Sequence, residues 1–371
     1  MPAPEITPGT TPRGAPRKAR RPAPVWLKLF ASALVTAVLL IVAEGGASAL
    51  LSVREARHAI RMQEESHANY DPDLGWSNRP NLRLSNLYEP GTTFTTNAQG
   101  FRAREDYGTA VPPGKYRIVC LGDSFTMGYG MGDADTYPAQ MERLHAALQT
   151  VNMGQGGYGL DQDYLWYKRD GARLDADLLV FAVIAHDVYR MAGNKFIGYA
   201  KPTLRASGGE LQVDNTPVAK TWIFRTPWRR CTTFARSTAL GRLAAWLVHS
   251  APAPSSEFYG KTSPEVLAAG ELAITDLAEL SARKRQKFLL VYLPSSDLLA
   301  HEPTSEARWL QMVAERHSIP FVNLVGDFGR LPPWEIAPLF RPDFHYSASG
   351  NRFVAETLLQ RIRELFPQTP R

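Results

Sequence analysis

The sequence predicts a doubly wound α/β fold, a parallel sheet held between layers of helix, and three observations predict it. The first is a set of short, mostly apolar runs without clean alternation: Tyr116–Leu121, Thr150–Met153 with the residues before it, Leu178–Ile184, Lys287–Leu293 and Ile319–Leu324. Strands buried on both faces read this way, because neither set of side chains meets water. The second is helical spacing between those runs, over about 137–147, 161–173, 264–285, 303–317 and 349–366. The third is the alternation itself, since parallel neighbours need crossover connections and a helix supplies each one. Ligands of such sheets bind beyond the carboxyl ends of the strands, which says where chemistry belongs.

Taken from the N-terminus, residues 1–24 are rich in Pro, Ala, Thr and Arg and carry no periodic apolar pattern, so they read as a disordered basic tail. The tail also explains the formal charge of +6. Residues 1–28 hold Arg13, Arg17, Lys18, Arg20, Arg21 and Lys28 against Glu5, a net of +5, which leaves the rest of the chain nearly neutral. A body without a basic stripe argues against a nucleic-acid partner.

Leu29–Ala43 contains no charge, and apolar character resumes after Glu44 as far as Val53. Fifteen helical residues reach only about 22 Å, short of a hydrocarbon core of about 30 Å. A tilted helix with Glu44 at the far interface would span it, so residues 25–53 read as a transmembrane anchor. Basic residues concentrate before the segment and mix with Glu55, Glu64 and Glu65 after it. The positive-inside rule then puts the N-terminus in the cytoplasm and the body outside. A cleaved signal peptide ending near Ala47-Ser48-Ala49 is the rival reading, and it too exports the body. Residues 54–66 look like a polar helical stalk, the start of an extension over 54–110 that leads into a main domain over 111–371.

Clustered turn residues with short Thr- and Phe-containing stretches predict irregular strands over 70–110. Ser263 followed by Pro264 is a helix start signal, a capping hydroxyl before a residue that needs no N–H partner. Residues 191–262 interrupt the alternation and read as an insertion beside the active face. It holds a hairpin, Thr203–Ala206 with Leu211–Val213, and a helix near 233–249. Cys120 and Cys231 are too few for a disulfide framework or a metal site, and Cys120 reads as a buried apolar thiol. A Cys120–Cys231 bridge is the alternative.

Two places carry chemistry. The first strand runs into Gly122-Asp123-Ser124-Phe125, which sets a serine just past a carboxyl strand end. Nucleophilic serine chemistry needs a hydroxyl held at a turn, N–H groups that can stabilise an oxyanion, and an imidazole to take the proton. A serine that merely caps the next helix is the plainer alternative. The last strand-to-helix connection supplies Asp343-Phe344-His345. Two residues apart in an extended segment, the side chains point the same way, so the carboxylate can hold the imidazole while its other nitrogen faces a substrate. An isolated pair of this kind would read as a surface salt bridge, but its place at a strand end favours catalysis.

These blocks make the chain resemble the SGNH/GDSL hydrolase superfamily, and in particular its membrane-anchored bacterial esterases. Gly122-Asp123-Ser124-Phe125 is similar to the first block, Asn152-Met-Gly-Gln-Gly-Gly157-Tyr158-Gly159 to the second, and Asp343-Phe-His345 to the last. Asn97-Ala-Gln-Gly-Phe-Arg102 resembles a segment found before the first block in anchored members. The resemblance implies a flavodoxin-like three-layer α/β/α fold with a central parallel sheet, Ser124 as nucleophile, His345 and Asp343 as its partners, and the N–H groups of Ser124 and Gly157 as oxyanion donors. It implies no cofactor and no metal.

The third block departs from the family, which usually has Gly-x-Asn-Asp where this chain reads Ile184-Ala185-His186-Asp187. His186 can donate an N–H in either neutral tautomer, so it is the candidate third oxyanion donor; a purely structural histidine is the alternative. The expected activity is hydrolysis of acyl esters, with an acylated envelope or exported glycan as partner by location alone. Acyl transfer to a sugar hydroxyl and non-catalytic glycan binding are the competing readings.

Overall fold

The computed structural model describes residues 24–55, 67–196, 199–220 and 262–370. The tail up to residue 23, most of the expected stalk, the helix expected near 233–249 and Cys231 lie outside them.

The chain divides into two units. The first contains a single described helix, α1 (Val25–Glu55). Its Val25–Ala47 segment of 23 residues contains an 18-residue stretch with a mean hydropathy of 2.3, and such a helix is about 34 Å long, enough to cross a hydrocarbon core of about 30 Å. Leu29, Phe30, Leu39 and Ile41 on it are exposed. By length and composition the same helix would also suit a signal sequence.

The second unit opens with two small antiparallel pairs in the region of expected irregular strands. They are β1 (Ala68–Asp71) with β2 (Gly75–Asn78), and β3 (Arg83–Ser85) with β4 (Thr93–Thr95). Then comes the alternation: β5 (Tyr116–Gly122), α2 (Ser124–Met127), α3 (Tyr137–Leu144), β6 (Leu148–Gly154), α4 (Leu160–Arg169), β7 (Leu178–Val183) and α5 (Ala185–Arg190). The described part of the insertion holds two further antiparallel pairs, β8 (Lys195–Phe196) with β9 (Tyr199–Ala200), and β10 (Thr203–Ser207) with β11 (Glu210–Asp214). The last of these is the expected hairpin. The remainder is α6 (Pro264–Arg283), β12 (Lys287–Tyr292), α7 (Ser305–Arg316), β13 (Phe321–Asn323), α8 (Val325–Phe328), α9 (Pro333–Ile336) and α10 (Ala348–Leu365).

Five strands form one parallel sheet in the order β6-β5-β7-β12-β13. In chain order that is second, first, third, fourth, fifth, the flavodoxin arrangement, whose switch point lies between β5 and β7. Every residue of β5 is buried, which is why its sequence shows no alternation. Val119 and Leu121 pack with Leu160 and Tyr167 of α4, Ile274 of α6 and Leu310 of α7. Ile118 and Cys120 face the other way, toward Tyr137 and Met141 of α3 and Leu358 and Ile362 of α10. Each such buried aliphatic side chain contributes on the order of 1.5–3 kcal/mol, so both helix layers are anchored through the same strand. Cys120 is a free, fully buried thiol whose pKa burial pushes up.

Three boundaries bear on the expectations, each for a local reason. The helix expected over 161–173 ends at Arg169 and gives way to a tighter turn over Gly171–Arg173. Gly171 there lies so close to the Tyr167 ring and the Met153 sulfur that a Cβ would come within 2.5 Å of the ring. The edge strand shrinks to Phe321–Asn323, since Pro320 has no N–H to give a ladder and only its carbonyl is used, by the Leu290 N–H at 3.0 Å. Helix α6 begins where Ser263 and Pro264 place it, with Ser263 Oγ accepting from the Val266 N–H.

Candidate active site

The nucleophile candidate is held by its neighbours. At the end of β5 a Cβ on Gly122 would lie 2.4 Å from the Ala182 carbonyl oxygen, so only glycine lets the chain leave the sheet here. Asp123, not the serine, caps α2, its Oδ1 accepting from the Phe125 N–H at 2.8 Å. Ser124 is therefore the first residue of the helix. The helix ends after one turn at Gly128, which takes φ +79°, and the N–H groups of Gly128 and Tyr129 both return to the Ser124 carbonyl at 2.9 Å. A side chain at 128 would strain that conformation.

Ser124 Oγ lies 2.9 Å from His345 Nε2, a contact between residues 221 positions apart. Nδ1 of His345 faces Asp343 Oδ1 at 3.6 Å, longer than a hydrogen bond, and Arg341 Nε lies 3.5 Å from the same oxygen. Burial raises the Asp343 pKa, but His345 and Arg341 outweigh it and hold the carboxyl below its ordinary range. The connection is not extended, which corrects the sequence reading. Phe344 has φ +65°, the Arg341 N–H reaches the His345 carbonyl at 2.7 Å, and the Phe344 N–H reaches the Arg341 carbonyl at 3.1 Å. A tight turn with a left-handed residue at its centre, and not the period of a strand, brings the two side chains together. Phe125, Tyr129 and Phe344 pack around the His345 ring with centroids 4.6–4.9 Å away.

The glycine-rich turn after β6 lies against α2. A Cβ on Gly154 would fall 1.9 Å from the Met127 nitrogen, and the Gln155 N–H bonds to the Gly122 carbonyl at 3.0 Å. Gly157, two residues on, has φ +76° and no room for a side chain beneath Phe196, whose ring a Cβ would meet at 2.4 Å. The insertion thus begins by covering this turn.

His186 is the second residue of α5, just past the carboxyl end of β7, the strand beside β5. Its Nε2 lies 3.1 Å from Asp297 Oδ2, a residue of the loop after β12. Burial raises the Asp297 pKa, and His186 and Ser295 outweigh it and hold the carboxyl low. Phe344 stacks on both imidazoles, at 4.6 Å from His345 and 5.8 Å from His186. Asp187, fully buried, accepts from the Ile184 N–H at 2.9 Å and from Arg190 at 2.7 Å.

Sequence reasoning missed Asp297, Arg190 and the part played by Arg102. The Arg102 guanidinium, buried, donates to the carbonyls of Met127, Gly128 and Met131 at 2.5–2.7 Å. One cation thereby gathers three carbonyls of the loop that follows Ser124. Asn97 sets up that reach, its Oδ1 accepting from the N–H groups of Gln99 and Phe101 at 3.0 Å. The signal was in the sequence as the Asn97–Arg102 segment, though its target was not. Trp76 ties the same extension to the second block through Nε1 and the Gly156 carbonyl at 3.0 Å. Among the described residues no group of three or more His, Cys, Asp or Glu converges as a metal site.

No family profile and no curated protein matches the chain. Among solved structures it is similar to a lipase/acylhydrolase from Enterococcus faecalis, at 14% identity over 67% of this chain and 96% of that one, with a TM-score of 0.39. It is also similar to a member of the lipolytic G-D-S-L family from Veillonella parvula, at 11% identity over 68% and 99%, TM-score 0.38. An acetyl-xylooligosaccharide esterase from Geobacillus is a third, at 13% identity over 67% and 94%, TM-score 0.39. Likenesses of this size do not extend to activity, which has to be argued from the site.

Proposed function

We propose that the chain is a membrane-tethered serine ester hydrolase of the SGNH/GDSL type acting outside the cytoplasm. The observation that carries this reading is the 2.9 Å contact between Ser124 Oγ and His345 Nε2 at the carboxyl edge of a parallel sheet, where such folds place their ligands. In the proposed reaction Ser124 Oγ attacks the acyl carbonyl while His345 takes its proton, then returns that proton to the departing alkoxide. Asp343 steadies the imidazolium that forms in between. The N–H groups of Ser124 and Gly157, with His186, face the oxyanion. Water, deprotonated by His345, then attacks the acyl carbon; the bond from Ser124 Oγ to the acyl group breaks, Oγ takes the proton back from His345, and the acid leaves.

The anchor reading of α1 and the basic tail before it support an N-terminus in the cytoplasm and a body outside. An O-acylated envelope or exported glycan is then the substrate class within reach. The test is to incubate full-length protein in detergent with short-chain aryl esters, with and without a sugar acceptor. Release of the acid without acceptor, abolished by Ser124→Ala, is the expected result. Acyl transfer only in the presence of the sugar would make the protein a transferase, and release unchanged by Ser124→Ala would refute the nucleophile. A reporter fused after Arg371 should function only outside the cytoplasm.

A further inference from the structure

Ser124 has one hydroxyl proton and two acceptors in reach. Oγ lies 2.9 Å from His345 Nε2 and 3.1 Å from Asp123 Oδ2. A hydroxyl donated to Asp123 is turned away from the base that must receive its proton, and charged acceptors form the stronger hydrogen bonds. Left alone, Asp123 would hold the serine in an idle state.

Arg190 meets that same oxygen, NH1 lying 3.1 Å from Asp123 Oδ2, with both side chains largely buried. The nitrogen is fixed from other directions by Asp187 Oδ1 at 2.7 Å and the Tyr158 carbonyl at 2.8 Å, and the guanidinium lies 4.8 Å from the centroid of the Phe196 ring. We propose that Arg190 is a positioning residue, which draws on Asp123 Oδ2 and so leaves His345 as the better acceptor for the Ser124 proton. The inference rests on the reading of Ser124 as nucleophile.

The other carboxyls nearby fit this role. Asp163 on α4 is fully buried, and neither of its oxygens has a hydrogen-bond partner among the described residues. Burial, together with Asp123 and Asp161, pushes its pKa well above the ordinary range. Burial and Asp123 push Asp187 up likewise, with Arg190 opposing. Arg190 NH1 is shared between Asp187 Oδ1 at 2.7 Å and Asp123 Oδ2 at 3.1 Å, and through the second contact its charge reaches the oxygen that Ser124 touches. Asp161 has its own cation in Lys201, also fully buried.

The test measures how fast a fluorophosphonate labels Ser124 in the full-length protein, corrected for the folded fraction from thermal melts. In that reaction the Oγ–P bond forms, the P–F bond breaks and the serine proton passes to His345. Arg190→Met is expected to slow the bond-forming step about tenfold with probe binding little changed, and Arg190→Lys to keep most of the rate. Asp123→Asn in the Arg190→Met background is expected to recover most of the loss, because asparagine still caps Phe125 but no longer offers a charged acceptor. A merely structural arginine would give rates per folded molecule equal to wild type throughout, and only melting temperatures would move. That result, or a double variant as slow as Arg190→Met, would overturn the inference alone. A wild-type protein that is not labelled, or label retained in Ser124→Ala, would remove the nucleophile and this inference with it.

Discussion

Two imidazoles stand at the carboxyl edge of the sheet, each beside a carboxylate and each stacked on Phe344, yet their nitrogens are spent differently. In His345 it is Nε2 that meets the Ser124 hydroxyl, and the carboxylate stands back at 3.6 Å from Nδ1. In His186 it is Nε2 that meets the carboxylate, at 3.1 Å. The first arrangement, with the ring proton on Nδ1 beside the carboxylate, turns the Nε2 lone pair to a hydroxyl, as a base requires. The second fixes a ring by its far nitrogen, so a donor role requires an N–H on Nδ1, the nitrogen turned away from Asp297. Residue type alone did not separate the two; what separates them is which nitrogen each carboxylate approaches.

The comparison breaks first at the serine. Ser124→Ala, His345→Ala and the double variant should each lose at least about a thousandfold in ester turnover, with the double no worse than either single, because groups acting as one unit are non-additive. Additive losses measured on purified proteins would separate the pair. Asp343→Asn should cost more than a hundredfold or so, by leaving the imidazole in the wrong tautomer, and Asp297→Asn about tenfold or less; equal losses would erase the distinction drawn above. His186→Ala should lower kcat about a hundredfold, near 3 kcal/mol, with little change in KM, and His186→Asn should restore part of it. Wild-type turnover per folded molecule in His186→Ala would leave that histidine a structural role only.

A third buried imidazole sharpens the contrast, because its partner is an amide. His67 Nδ1 lies 3.0 Å from Asn78 Oδ1, and burial, only partly offset by that bond, lowers its pKa to about 4. The folded state therefore binds fewer protons than the unfolded state between about pH 6.5 and 4. Its contribution is present above the unfolded value near 6.5 and is lost as pH falls toward 4, by up to about 3 kcal/mol. Urea unfolding at about pH 7 and about pH 4 should show this loss in the wild type and a smaller one in His67→Gln. An equal pH dependence in both would mean that His67 is already charged when folded.

Much of the sheet was legible because burial on both faces removes polar residues from a strand, as in β5 and β12, and because Ser263 and Pro264 announce a helix in two residues. Strand order was not written locally; it came only with the family resemblance. Helix α5, six residues long, is too short to show a period. At the site, Ser124 declared itself by standing at a strand end; His345 follows the last strand only after α8 and α9, and was legible through its spacing from Asp343 and the family resemblance. Asp297 and Arg190 did not, since their partners His186 and Asp123 lie far away in the chain and nothing near them in sequence marks the contact. The left-handed Phe344 was equally hidden, because an aromatic residue gives no sign of a conformation that usually selects glycine or asparagine.

Arg102 reaches three carbonyls of the loop behind Ser124 from a part of the chain that precedes the sheet altogether. A chain shortened to begin at Val111 would keep every strand of that sheet and lose the cation. A lesion at Arg102, or in the turn that Asn97 builds, would then be scored genetically as loss of the nucleophile, although the serine itself would be intact.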